Sequence, residues 1–131
     1  MANVSWLLRL MKETHIFIIE SEAIVRLDLR LQLESMGYII HWAIPFTDLK
    51  EALRKLNPDL IIINFTSRNQ ESFPLIRETM SQLQIPIIYL GVDTIADANI
   101  DPDLNIVATV SIPYMTNDII NLVKKCLQYE N

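Results

Sequence analysis

Two short apolar runs in this chain end on polar side chains, and those ends hold the residue types best suited to chemistry. His15-Ile16-Phe17-Ile18-Ile19 leads into Glu20-Ser21-Glu22, and Pro58-Asp59-Leu60-Ile61-Ile62-Ile63 leads into Asn64. Carboxylates at such a place attract a divalent cation, whereas a carboxamide offers only a weakly nucleophilic oxygen and an NH2 donor. Asn64 therefore has two readings: a polar strand end hydrogen-bonded to Ser21 or nearby backbone, or a member of a ligand site. Glu20 has the same two. Thr66, Ser67 and Ser72 carry hydroxyls that could accept phosphate, but only Arg68 nearby is basic, and hydroxyls are common in loops and caps. His15 and His41 show neither a triad partner nor metal-ligand spacing and read as strand-edge residues. Trp42 and Tyr114 read as packing residues, with Tyr114 also available to a partner.

The elements that must position these side chains follow from periodicity. A short β-branched run without alternation reads as a strand covered on both faces, at the centre of a parallel sheet. His15–Ile19, Tyr38–Ala43, the run into Asn64, Ile85–Leu90 and Ile106–Val110 give five strands. Glu22 to Met36 alternates apolar and polar residues, but its length, its Leu, Arg and Gln content and the Gly37 that closes it predict a helix. That helix is apolar around most of its circumference, which leaves two readings open: deep packing between neighbours, or an outer face that meets a partner helix. Leu49, Ala52, Leu53 and Leu56 predict a second helix capped by Thr47 or Asp48. Phe73, Ile76, Met80 and Leu83 predict a third, with Pro74 in its first turn. Ile119, Leu122, Val123, Cys126 and Leu127 predict the last, which makes Cys126 inert core. The polar stretch from Asp93 to Asp103 predicts a short or frayed helix and local mobility. Five strands alternating with five helices imply, by the right-handed crossover rule, a flavodoxin-like doubly wound parallel sheet of order 2-1-3-4-5. That order brings Glu20, Ser21 and Asn64 to one crevice at the switch point.

Bulk properties narrow the class of partner. At 131 residues and 50% hydrophobic, the chain is the size of one domain with one substantial core. Residues 1–13, with Trp6, Leu7, Leu8, Leu10 and Met11, read as an N-terminal extension, peripheral or packed as a short helix on the domain or a partner; 14–131 read as the domain. A net charge of −5 argues against a nucleic-acid surface, which needs clustered Lys and Arg. One cysteine cannot form an internal disulfide, and no apolar run reaches membrane-spanning length, so a cytoplasmic location is expected. Gly37 and Gly91 are the only glycines, which leaves no glycine-rich phosphate cradle.

From about residue 14 to 128 the chain resembles the receiver domains of two-component response regulators. The resemblance rests on Ile-Ile-Glu-Ser-Glu after the first strand, Leu-Glu-Ser-Met-Gly-Tyr closing the first helix, Glu-Ala-Leu in the second, Pro-Asp-Leu-Ile-Ile-Ile-Asn, Ile-Pro-Ile-Ile-Tyr-Leu, and Pro113 before the last helix. In that family an aspartate ending the third strand accepts a phosphoryl group, two acidic residues help hold Mg²⁺, and a hydroxyl residue and a lysine bind the phosphoryl oxygens. The resemblance places Asn64 at the phosphoacceptor position. It keeps Glu20 as one acidic residue, with Ser21 in place of the other and Glu22 beside them. Gly91 falls where the hydroxyl belongs, Thr109 where the switch aromatic belongs, and Ile112 where the lysine precedes a proline, here Pro113. It also implies a cis Ile112–Pro113 bond.

Those replacements remove the phosphoryl chemistry. An amide cannot serve as the acyl-phosphate nucleophile, Ile112 supplies no cation for the equatorial oxygens, and Glu20 with Glu22 leaves at most weak Mg²⁺ binding. The expectation is a degenerate pseudo-receiver: a non-enzymatic signalling module of phosphorelay type that works by protein contact, without cofactor or phosphorylation. By analogy its partner face includes Ile95, Thr109, Tyr114, Asp118 and Asn121, for another protein or a second copy, with no nucleic acid or membrane partner. Whether an output domain belongs to the same protein is open. The alternative expectation is a small-ligand-binding domain using the crevice at Glu20 and Asn64.

Overall fold

The computed structural model describes residues 13–43, 49–92 and 101–127. A five-stranded sheet is laid out in the order β2-β1-β3-β4-β5, every neighbouring pair parallel. The strands are β1 (His15–Ile19), β2 (Ile39–Ala43), β3 (Leu60–Asn64), β4 (Ile87–Val92) and β5 (Ile106–Ser111). The connections carry α1 (Ala23–Ser35), α2 (Leu49–Leu56), α3 (Phe73–Leu83) and α4 (Thr116–Leu127), with a 3-10 turn over Phe65–Asn69. No described helix is long and apolar enough to cross a membrane.

The expected strand order and parallel sense are found, and the doubly wound arrangement follows from the unbroken apolar runs. Because side chains alternate across a strand, β1, β3 and β4 each feed both faces. Phe17, Ile19, Ile61, Ile63, Ile87 and Tyr89 pack with Leu49 and Leu53 of α2 and Phe73, Ile76 and Met80 of α3. Ile16, Ile18, Leu60, Ile62, Ile88 and Leu90 pack with Leu29 and Leu33 of α1 and Ile119, Ile120 and Val123 of α4. Five isoleucines of β1 and β3, Ile16, Ile18, Ile61, Ile62 and Ile63, have no exposed surface, as strands covered on both sides require.

Three expectations are corrected. The fourth strand starts at Ile87, not Ile85, because Pro86 has no N–H to give the ladder; the Ile87 N–H donates to Asn105 O at 2.9 Å. That strand also runs on to Val92 and so contains Gly91, at φ +80°. Among the described residues there are four α-helices, not five. Of the segment expected to hold the other, 93–100 lie outside the described residues, and 101–105 form a turn closed by the Leu104 N–H on Asp101 O. The Thr47 and Asp48 caps lie outside them as well. Helix α1 ends as expected, with Gly37 at φ +93°. Its leucines divide: Leu29 and Leu33 are buried, whereas Ile24, Leu27 and Leu31 are exposed.

Candidate functional site

The crevice at the carboxyl ends of β1 and β3 is built from adjacent strands in register, Ile19 beside Ile63, so that the next residues on each chain meet. Glu20, only 2% exposed, sits at its floor. One carboxylate oxygen, Oε2, accepts from Asn64 Nδ2 at 2.8 Å, and the other, Oε1, accepts from the Glu22 backbone N–H at 3.0 Å. Asn64 Oδ1 in turn accepts from the Thr66 backbone N–H at 2.9 Å and from the Thr66 hydroxyl at 2.7 Å. A backbone N–H can only donate, which fixes the amide orientation: the oxygen faces Thr66 and the NH2 faces Glu20. Asn64 thereby caps the 3-10 turn that follows β3. This meets the expectation of a polar strand end satisfied locally, but the partners are Glu20 and Thr66, not Ser21.

Arg26 on α1 closes the outside of the crevice. Its guanidinium donates to Glu20 O at 2.8 Å and lies 4.5 Å from the centre of the Trp42 ring, a cation–π contact. Trp42 is 42% exposed and so serves as a platform for Arg26 more than as core packing. Gly91 and Ile112 line the remaining wall. A Cβ at position 91 would lie 3.8 Å from both Asn64 Oδ1 and Ile112 Cδ1, so these three positions do converge. Ile112 is 59% exposed and brings an apolar side chain to the rim. The Ile112–Pro113 bond is cis, as the resemblance implies.

Ser21 and Glu22 are exposed. Thr109 is an exposed residue of β5 whose register partner is Tyr89 of β4. Tyr114 is half-buried against the α1–α4 side of the core, and its phenol is held above the usual range by burial and then by the charges of Glu20 and Glu22. Asp118 is spent on α4 itself, where its carboxylate accepts from the Met115 N–H at 3.2 Å. Asn121 is exposed on the same helix, and Ile95 lies outside the described residues. Two contacts have no counterpart in sequence patterns. Thr116 Oγ1 donates to Asp28 at 2.5 Å, tying the start of α4 to α1; this bond and then one from Gln32 hold the Asp28 carboxyl below the usual range. At the opposite end of the sheet His15 Nδ1 lies 2.9 Å from His41 Nε2 with the rings stacked, and burial followed by the charge of His15 keeps His41 below the usual imidazole range. Among the described residues no group of three or more His, Cys, Asp or Glu is placed to hold a metal ion.

No family model matches the chain. Solved structures do. A response regulator from Thermotoga maritima is similar over 89% of this chain and 99% of its own, with TM-score 0.72 and 20% identity. The chemotaxis protein CheY4 of Vibrio cholerae is similar over 88% of this chain and all (100%) of its own, with TM-score 0.74 and 15% identity. The anti-anti-sigma factor PhyR of Bartonella quintana is similar over 96% of this chain but only 52% of its own length, with TM-score 0.65 and 18% identity. These likenesses establish that the chain has the fold of response-regulator receiver domains.

Proposed function

We propose that the chain is a receiver-like signalling module, not an enzyme, that acts through contact with another protein and does not undergo aspartyl phosphorylation. The observation that carries this reading is the hydrogen bond from Asn64 Nδ2 to Glu20 Oε2 at 2.8 Å. A carboxylate at position 64 would need a cation to sit that close to Glu20, whereas the amide supplies its own donor. Both Glu20 oxygens and the Asn64 oxygen already have partners, and Ile112 contributes no charge. The donor set suits a resident Mg²⁺ poorly, since one carboxylate engaged by two N–H groups is a weak claim on an ion that prefers near-octahedral oxygen ligands. The same saturation counts against the small-ligand reading, because among the described residues Glu20 and Asn64 already spend their polar atoms on each other, Thr66 and the Glu22 N–H. That one structural neighbour is named an anti-anti-sigma factor supports a protein partner.

The test is incubation with acetyl phosphate or phosphoramidate and Mg²⁺, followed by intact mass measurement. The expected result is the unmodified mass; a phosphoryl adduct on the wild-type chain would overturn the proposal.

A further inference from the structure

Between α2 and α3 lies a hollow of about 460 Å³, a size usual for small-molecule sites. Leu49 and Ile76, each 2% exposed, bring the edge of the core to its wall. Leu75 adds a large aliphatic side chain that is 55% exposed. A concave apolar surface in contact with water is stabilised when an apolar group lies on it.

The polar groups beside this surface are mostly donors. Lys50 and Arg54 both line the hollow and, four residues apart on α2, share one flank of that helix. Arg54 reaches across to α3, where a terminal N–H donates to Gln82 Oε1 at 2.6 Å. Its partner there is a neutral amide, so the guanidinium keeps its charge uncompensated and its remaining N–H groups available. Ser72 stands at the N-cap position of α3, yet its hydroxyl makes no capping bond and borders the same hollow. Glu51 is the only acid of the lining, and among the described residues neither it, Lys50 nor Arg54 belongs to an ion pair. Two cations against one carboxylate leave this place positive in a chain of net charge −5. The combination selects by chemistry. A cationic amphiphile meets Lys50 and Arg54 as like charges, and a neutral one leaves their charges without a partner. A small inorganic anion leaves Leu75 in water. A carboxylate with an apolar tail satisfies both parts, since carboxylate and guanidinium match in a two-bond fork.

We propose that the α2–α3 hollow binds a small carboxylate with an apolar tail, the acid held by Arg54 and Lys50 and the tail laid against Leu49, Leu75 and Ile76. The site shares no residue with the Glu20–Asn64 crevice and does not depend on the phosphorylation reading. Octanoate, octanol and octylamine are the probes, each titrated into the full chain and followed by two-dimensional amide NMR. Octanoate is expected to saturate with shifts centred on residues 49–54 and 72–76, and to bind about tenfold more tightly than octanol or octylamine. Arg54→Gln and Lys50→Gln, at exposed positions and checked for folding by circular dichroism, are expected to bring octanoate down towards the octanol value. Leu75→Gln is expected to weaken octanoate and octanol alike. Octanoate that fails to saturate, binds no better than octanol, or moves amides elsewhere, such as those of the exposed leucines of α1, would overturn the proposal. So would wild-type octanoate affinity in both folded glutamine variants of α2.

Discussion

Replacing Asn64 by aspartate isolates what the carboxamide contributes. Asn64→Asp keeps the acceptor for Thr66 but faces Glu20 Oε2 with a second carboxylate in place of a donor 2.8 Å away. Loss of a charge-assisted hydrogen bond and like-charge repulsion together are expected to destabilise the protein by about 2–3 kcal/mol at neutral pH. The deficit should shrink as pH falls towards 5, where one carboxyl can take a proton, and in millimolar Mg²⁺, which can sit between the two. Thermal melts at both pH values, with and without the ion, measure this; a variant as stable as wild type at pH 7.5 without Mg²⁺ would contradict it. Tyr89 gives a second residue-scale expectation. It is 1% exposed, its hydroxyl is buried without a partner among the described residues, and burial pushes its phenol up to about 12. Tyr89→Phe removes a buried hydroxyl that no described residue partners, at nearly constant volume, so stability should be unchanged or rise by about 1 kcal/mol in urea titration.

Helix α1 and the β1–β2 pair decide the outcome at the scale of elements. The leucines of α1 look alike in sequence, yet Leu33 is fully buried and Leu31 is 54% exposed. Leu33→Ala is expected to cost about 2–5 kcal/mol, through lost transfer energy and a cavity, and Leu31→Ala less than about 0.5 kcal/mol. Comparable losses from the two in denaturant titrations would mean that the helix is rotated from the position described. The histidine pair binds β1 to the edge strand β2. Because the folded state keeps His41 below its ordinary value, the unfolded chain binds the proton more tightly, so stability is complete above about pH 6.5 and is lost as pH falls through the lower folded value. Melting temperatures between pH 7.5 and 5 should decline more steeply for wild type than for His41→Gln.

At the scale of the whole molecule, the two halves of the core are joined by the strands that feed both. Ile61 and Ile62 are neighbours in β3 and belong to opposite sides of the sheet. A disturbance on one side therefore moves the backbone that supports the other, and a single unfolding transition is expected, with far-UV circular dichroism and Trp42 fluorescence coincident; separated transitions would show that the sides fold independently. This architecture was legible in the amino-acid order because uninterrupted runs such as Ile61-Ile62-Ile63 are tolerated only between two helical layers, and helices of period 3.6 alternate with them. Asn64 and Glu20 could be assigned to one crevice for the same reason, since strand ends are countable. Their mutual hydrogen bond, the role of Thr66 and Arg26, the link from Thr116 to Asp28 and the stacking of His15 on His41 were not legible. Each joins side chains whose partners are selected by distance and direction in space, and residues 28 and 116 carry no mark in sequence that they will meet. The division of α1 into a buried and an exposed leucine line was hidden likewise, because a helix apolar on most sides does not announce which side the sheet will take. Local pattern thus set the strands, the helices and the end of the sheet where the polar residues gather. Three-dimensional packing decided that those residues satisfy one another, since hydrogen bonding depends on geometry at the level of a fraction of an ångström that no one-dimensional spacing encodes.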